Sequence, residues 1–179
     1  MKDLKIFTIP FVGLKEGSHA FEFDLGDSFF AHFDYDDFNH MDLAGALTLV
    51  KKSTMLELRF AVNGQAEVNC DLTNEPYDQP MSGTYDLVIK FGPEFNDEHE
   101  DILILPHGEF EINVAHYFYE LAVLSMPNKR VHPGVADGSL DSEVLKKLEE
   151  LSIDNRQIAS KEQEIDPRWD ELKKLLTDK

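Results

Sequence analysis

From Ala20 to Leu105, apolar side chains recur mostly at every second position; at Asn113 that period gives way to one of three to four residues. A two-residue period sends successive side chains to opposite faces of a strand, and the longer one gathers them on one side of a helix. A chain that makes this change once is an α+β chain: a sheet with one buried face, and a helix to cover it. Met55–Val62 carries Leu56, Leu58, Phe60 and Val62 on one face, and Asn63-Gly64 directly behind it reads as a hairpin turn, with Gln65–Cys70 as the return strand. Leu4–Ile9, Ala20–Leu25, Leu43–Lys52, Thr84–Phe91 and Asp101–Leu105 supply the other strands, and Asp27–His32 a short helix. The expected fold is an antiparallel sheet of about six or seven strands, curled or barrel-like, with one packing helix and two C-terminal helices.

The packing helix runs from Asn113, a suitable N-cap, to Met126, where Pro127 stops it. Only His116 and Glu120 interrupt its apolar surface, so it is buried on most sides or partly covered by a partner. Residues 127–138 form a Pro- and Gly-containing link. A helix capped by Ser139 or Asp141 extends to Leu151, and Asp166-Pro167 opens a last one with Trp169, Leu172, Leu175 and Leu176 as its stripe. The expected division is an acidic β-rich domain over 1–138 and a helical extension over 139–179.

The net charge of −18 is unevenly spread. Residues 1–126 hold 23 acidic and 7 basic side chains, a net of −16, whereas the link offers Lys129, Arg130 and His132 against Asp137 alone. Nucleic acid is gripped by Lys and Arg that neutralise phosphates. A body of this charge repels phosphate and attracts basic polypeptide. Sequence-independent binding to nucleic acid or to an anionic membrane is therefore not expected. No apolar stretch is long enough to span a bilayer. With a single cysteine, Cys70, these features point to the cytoplasm.

No nucleophile elbow, phosphate loop, dinucleotide fingerprint or zinc-protease motif is present. Cys70 falls at an inward strand position beside Asp71, whose charge is expected to raise the thiol pKa. His107, Glu109, Glu111, His116 and Glu120 lie close together, and His116 and Glu120, four apart, share a helix face that is able to hold a metal. A solvent-facing stripe explains that spacing better. Asp34 to Asp42 is acidic, but Asn39 and Gly45 stand where a calcium loop needs Gly and Glu. It reads as a solvated loop with anchoring aromatics. No cofactor or metal is expected.

Three stretches, in order, resemble a known family. They are Val62-Asn63-Gly64-Gln65-Ala66-Glu67-Val68-Asn69-Cys70-Asp71-Leu72; then Asp101-Ile102-Leu103-Ile104-Leu105 through Ile112-Asn113-Val114 and Glu120-Leu121 to Leu124-Ser125-Met126-Pro127; and finally Ile165-Asp166-Pro167-Arg168-Trp169 with Leu172. The chain is similar to the YceD family, the large ribosomal RNA subunit accumulation proteins. Its Arg130-Val131-His132-Pro133, without cysteines, looks like the cysteine-poor form of Bacteroidetes-type bacteria. Thr73 replaces the second cysteine of the family's C-x-x-C and no cysteine follows Met126, so a cysteine zinc site is not carried over.

The resemblance implies a non-catalytic role in ribosome assembly, needed for large-subunit rRNA to accumulate. Combined with the charge, it points to a basic ribosomal protein or a pre-large-subunit particle as partner. The expected contact residues are Lys129, Arg130 and His132 in the link and Asp166, Pro167, Arg168 and Trp169 at the last helix. Two alternatives compete: an acidic interaction module or nucleic-acid mimic unrelated to ribosomes, and a metal-dependent enzyme using His107 to Glu120.

Overall fold

The alternation folds into six strands in the computed structural model, which describes residues 3–99, 101–140 and 143–151. Strands β2 (Gly17–Gly26), β3 (His40–Lys51), β4 (Met55–Asn69) and β5 (Pro76–Gly92) form a long antiparallel meander. Leu43, Leu47 and Leu49 of β3, Leu58, Phe60 and Val62 of β4, and Met81, Leu87 and Ile89 of β5 are all buried on one face. Alternate residues, among them Ala44, Thr48, Arg59, Ser82 and Asp86, are exposed on the other face. Short β6 (Asn96–His99) and β7 (Ile102–Pro106) complete the order β2-β3-β4-β5-β7-β6.

The α+β class holds, but three details differ from the sequence expectation. The sheet is mixed, because β7 slots between β5 and β6 and runs parallel to β5, pairing Ile89 with Leu103. It is not closed into a barrel: β2 and β6 are its two edges. And Asn63-Gly64 is no turn. It sits inside β4, opposite Ala44 and Leu43 of β3 and Ser82 and Met81 of β5. Glycine serves there because β3 passes so close that a Cβ on Gly64 would stand 2.2 Å from the Asp42 carbonyl oxygen. The chain reverses instead at residues 52–54 and 70–75.

Leu4–Ile9 is also not one strand. Asp3–Phe7 is a 3-10 turn, and only β1 (Thr8–Ile9) is extended, pairing with β8 (Ile112–Asn113). The turn drives the Phe7 ring into the core, stacked on Phe23 at 4.8 Å. A short helix, α1 (Asp27–Ala31), follows β2 and buries Phe29 and Phe30.

The packing helix α2 (Ala115–Ser125) lies across the buried face. Asn113 caps it from just outside: its Oδ1 accepts the Ala115 N–H at 3.0 Å while its Nδ2 donates to the Leu4 carbonyl oxygen at 2.8 Å and to Thr8 Oγ1 at 2.9 Å. Close seating of the helix needs two missing side chains below it. A Cβ on Gly45 would meet the Phe118 ring at 2.9 Å, and one on Gly83 would meet Ser125 Oγ at 2.1 Å. Within the link, α3 (Pro133–Asp137) is a single turn the sequence did not announce, and beyond it α4 is Glu143–Leu151. The helix expected from Asp166 lies outside the described residues.

Candidate partner-binding site

Three segments far apart in sequence meet at one end of the sheet. The first is the turn between β4 and β5. Cys70 donates its N–H to the Glu75 carbonyl oxygen at 2.9 Å and accepts that of Asn74 at 2.8 Å, with Asn74 in the left-handed region at φ 59°. The second is the acidic loop after α1. Its Asn39 donates its N–H to the Glu67 carbonyl oxygen at 2.8 Å and its side-chain amide to Asn69 Oδ1 at 2.9 Å. Tyr35 and Phe38 fix this loop from beneath, their rings 6.1 and 5.5 Å from that of Phe30. These are the anchoring aromatics the sequence implied.

The third segment is the link. Arg130 and Asp71 exchange two bonds, the Arg130 N–H to Asp71 Oδ2 and the Asp71 N–H to the Arg130 carbonyl oxygen, both at 2.7 Å. The Arg130 guanidinium reaches across to Asp37, donating to its carboxylate at 2.7 Å and its carbonyl oxygen at 3.0 Å. Asp37 holds that guanidinium above its ordinary pKa. His132 donates its N–H to Cys70 Sγ at 3.3 Å and accepts the Gly134 N–H on Nδ1 at 2.9 Å, starting α3.

Cys70 therefore differs from expectation. Burial pushes its thiol up, but the N–H groups of His132, Leu72 and Thr73 and the Thr73 hydroxyl outweigh that and lower its pKa. The carboxylate of Asp71 is turned to the link and bonds Arg130. The sulfur accepts hydrogen bonds that tie the link to the turn.

Between these segments lies a groove of 490 Å³ lined in part by Asp36, Asp37, Asn39, Asp71, Thr73 and Arg130. Its carboxylates outnumber its one cation. Its charge suits ammonium or guanidinium groups, not a phosphate. Of the link residues, Lys129 is exposed, while Arg130 and His132 are half-buried and engaged internally. Asp166, Pro167, Arg168 and Trp169 lie outside the described residues. Sequence reasoning missed Asp37 and Asp71 as anchors. Arg130 lies 93 and 59 residues from them, and no local pattern reports a contact of that span.

Removing the Arg130 side chain is expected to cost about 1 kcal/mol, as for a partly exposed ion pair with two hydrogen bonds. Asp37→Asn is expected to give a similar loss and the double variant less than the sum, because both break one interaction. Urea denaturation of the three variants measures this; additive losses would mean that the two side chains act separately.

The other cluster does not gather. His116 pairs with Glu120 at 3.0 Å on the exposed side of α2. His107 and Glu109 sit in the turn after β7, their N–H groups bonded to the Gly92 and Pro106 carbonyl oxygens. Among the described residues no group of three or more His, Cys, Asp or Glu is placed to hold a metal ion. A second groove, of 970 Å³, runs between α2 and β5 past Tyr85, Tyr117 and Leu124. The Tyr117 phenol is pushed up to about 12, by burial first and then by Tyr85, Glu120 and Asp97. Leu124 is 83% exposed, so the nearly all-apolar helix of the sequence keeps one uncovered side.

A family model described as large ribosomal RNA subunit accumulation protein YceD matches residues 58–176. The chain belongs to the YceD family. No curated protein and no solved structure matches the chain. The YceD match opens inside β4, so it takes in Cys70, Asp71, Arg130 and His132 but leaves β2, α1, β3 and Asp37 ahead of it. The clamp on the link thus joins the YceD-matched part of the chain to the acidic loop that precedes it. Among the described residues no helix is long and apolar enough to cross a membrane.

Proposed function

We propose that this protein is a non-catalytic accessory factor in the accumulation of large-subunit ribosomal RNA, and that it acts by binding a basic ribosomal protein or a pre-large-subunit particle. Family membership supports the ribosomal setting. The observation that carries the choice of partner is the groove at Asp36, Asp37 and Asp71, where the chain's own Arg130 guanidinium is already held by Asp37. A surface that takes one guanidinium from within has the chemistry to take others from outside. Arg130 and His132 being engaged internally leaves Lys129 as the exposed cation of the link, which is little for a polyphosphate to hold. Asp166, Pro167, Arg168 and Trp169 would add contacts to the same partner.

Capture from lysate tests the reading. The tagged full chain is expected to retain basic ribosomal proteins after nuclease treatment, and Asp36→Lys with Asp71→Lys to reduce that capture. Loss of all ribosomal proteins together with the RNA would defeat the protein-partner reading. The sole tryptophan, Trp169, offers a second readout: its emission is expected to shift to shorter wavelength as the partner covers it.

A further inference from the structure

The two edges of the sheet are built differently. β6 is four residues long, carries Asp97 and Glu98, and pairs with β7 through an irregular register between Asn96 and His99. Short length, charge and irregularity are the usual means of keeping an edge strand from pairing with a stranger. β2 has none of the first and last. It is ten residues long, pairs with β3 from Gly17↔Lys51 to Gly26↔Asp42 without a slip, and contains no proline and no lysine. Among the described residues it pairs with no strand but β3, and its last residue, Gly26, opens α1. Up to Leu25, alternate residues of β2 therefore turn their N–H and C=O groups away from the sheet, with no strand among the described residues to receive them.

Its side chains indicate what would fit. Ser18, Ala20, Glu22 and Asp24 are exposed on the solvent face, while Phe21 and Phe23 are half-buried on the other, at the margin of the core. A strand laid along β2 would meet carboxylates on one face and aromatic rings on the other. We propose that β2 is a docking edge which takes an extended, Lys/Arg-rich segment of a partner protein as a seventh strand, with cations at every second position facing Glu22 and Asp24 and apolar residues between them facing Phe21 and Phe23. A second copy of this chain fits poorly: it would bring another net charge of −18 and set acid against acid along the shared edge. The proposal rests on the reading above for the sign of the partner's charge, but it uses a different surface.

The probe is a labelled ten-residue peptide of alternating Lys and Val, titrated against the full-length protein by fluorescence anisotropy at near-physiological salt. In a strand, the N–H groups of the Lys set all point to one edge and those of the Val set to the other. Two further peptides carry N-methyl groups on one set each. The expected result is that one methylated peptide binds at least roughly tenfold more weakly, as the loss of several hydrogen bonds requires, while the other binds like the parent. Amide exchange is expected to slow along Gly17–Gly26 when the parent peptide binds, and Glu22→Lys with Asp24→Lys to weaken binding without changing the circular dichroism spectrum. Equal binding of both methylated peptides would mean plain charge attraction and would sink the docking edge, leaving nuclease-resistant capture of ribosomal proteins untouched. Slow exchange of the β2 amides that face away from β3, in the free protein, would also sink it. A dimer by sedimentation would then name a second copy as the occupant, and loss of that protection on removing residues 152–179 would name the chain's own C-terminal part.

Discussion

Gly64→Ala is expected to cost about 3 kcal/mol or more, combining a strained backbone with an overfilled space. Gly64 has φ +154°, a region side chains avoid, and pairs with Leu43 in the middle of the β3–β4 ladder. The new methyl would lie 2.2 Å from the Asp42 carbonyl oxygen and 3.0 Å from the Leu43 Cα. Both obstacles are backbone, so no rotamer change relieves them, and β3 can move off only by breaking its pairing with β4. Gly13→Ala is the control: a Cβ there meets nothing within 4 Å, and its effect is expected to stay within about 0.5 kcal/mol. Urea denaturation of both variants provides the comparison. Equal midpoints would show that β3 and β4 are not so tightly apposed at this point.

Phe118→Ala is expected to lose about 3–5 kcal/mol, the usual range for emptying a buried aromatic site. Phe118 is fully buried, and its ring lies 5.2 Å from those of Phe23 and Phe60 and 6.3 Å from that of Phe7. Those rings come from the Asp3–Phe7 turn, the edge strand and the sheet centre, so one side chain packs against three separate segments of the core. Their neighbours are themselves packed and close only part of the resulting hole. Leu124→Ala on the same helix, at a largely exposed position, is expected to be nearly silent. The pair separates loss of core packing from loss of helix propensity; similar losses for both would place α2 away from the sheet.

Much of this fold was legible because alternation is a local signal. Leu56, Leu58, Phe60 and Val62 declare a half-buried strand within eight residues, and Asn113 declares the helix that follows. What was not legible is pairing at a distance. Nothing in Ile102–Pro106 distinguishes a strand that closes a hairpin from one that inserts beside β5, because direction and neighbour leave no trace in the strand itself. Asn63-Gly64 misled for a related reason. The same glycine meets the needs of a tight turn and of a close backbone crossing, and only the position of β3 tells them apart. The candidate site divides the same way. Its acids and its basic link were visible in composition, but that Arg130 closes onto Asp37, and that Cys70 anchors the link through its sulfur, depends on three loops meeting.

The tie between Asn113 and the opening turn sets an order of events during translation. Leu4 and Thr8 have no amide to hold them until residue 113 has been made, and Phe7 has no ring from α2 to rest on until Phe118 follows. At common rates of synthesis, roughly 5–20 residues per second, the stretch from Thr8 to Asn113 takes on the order of 5 to 20 seconds to make, and the turn waits that long for its seat. The Asp3–Phe7 turn is thus among the last of the described segments to settle, although Phe23 and Phe29 reach the Phe7 ring long before Phe118 does.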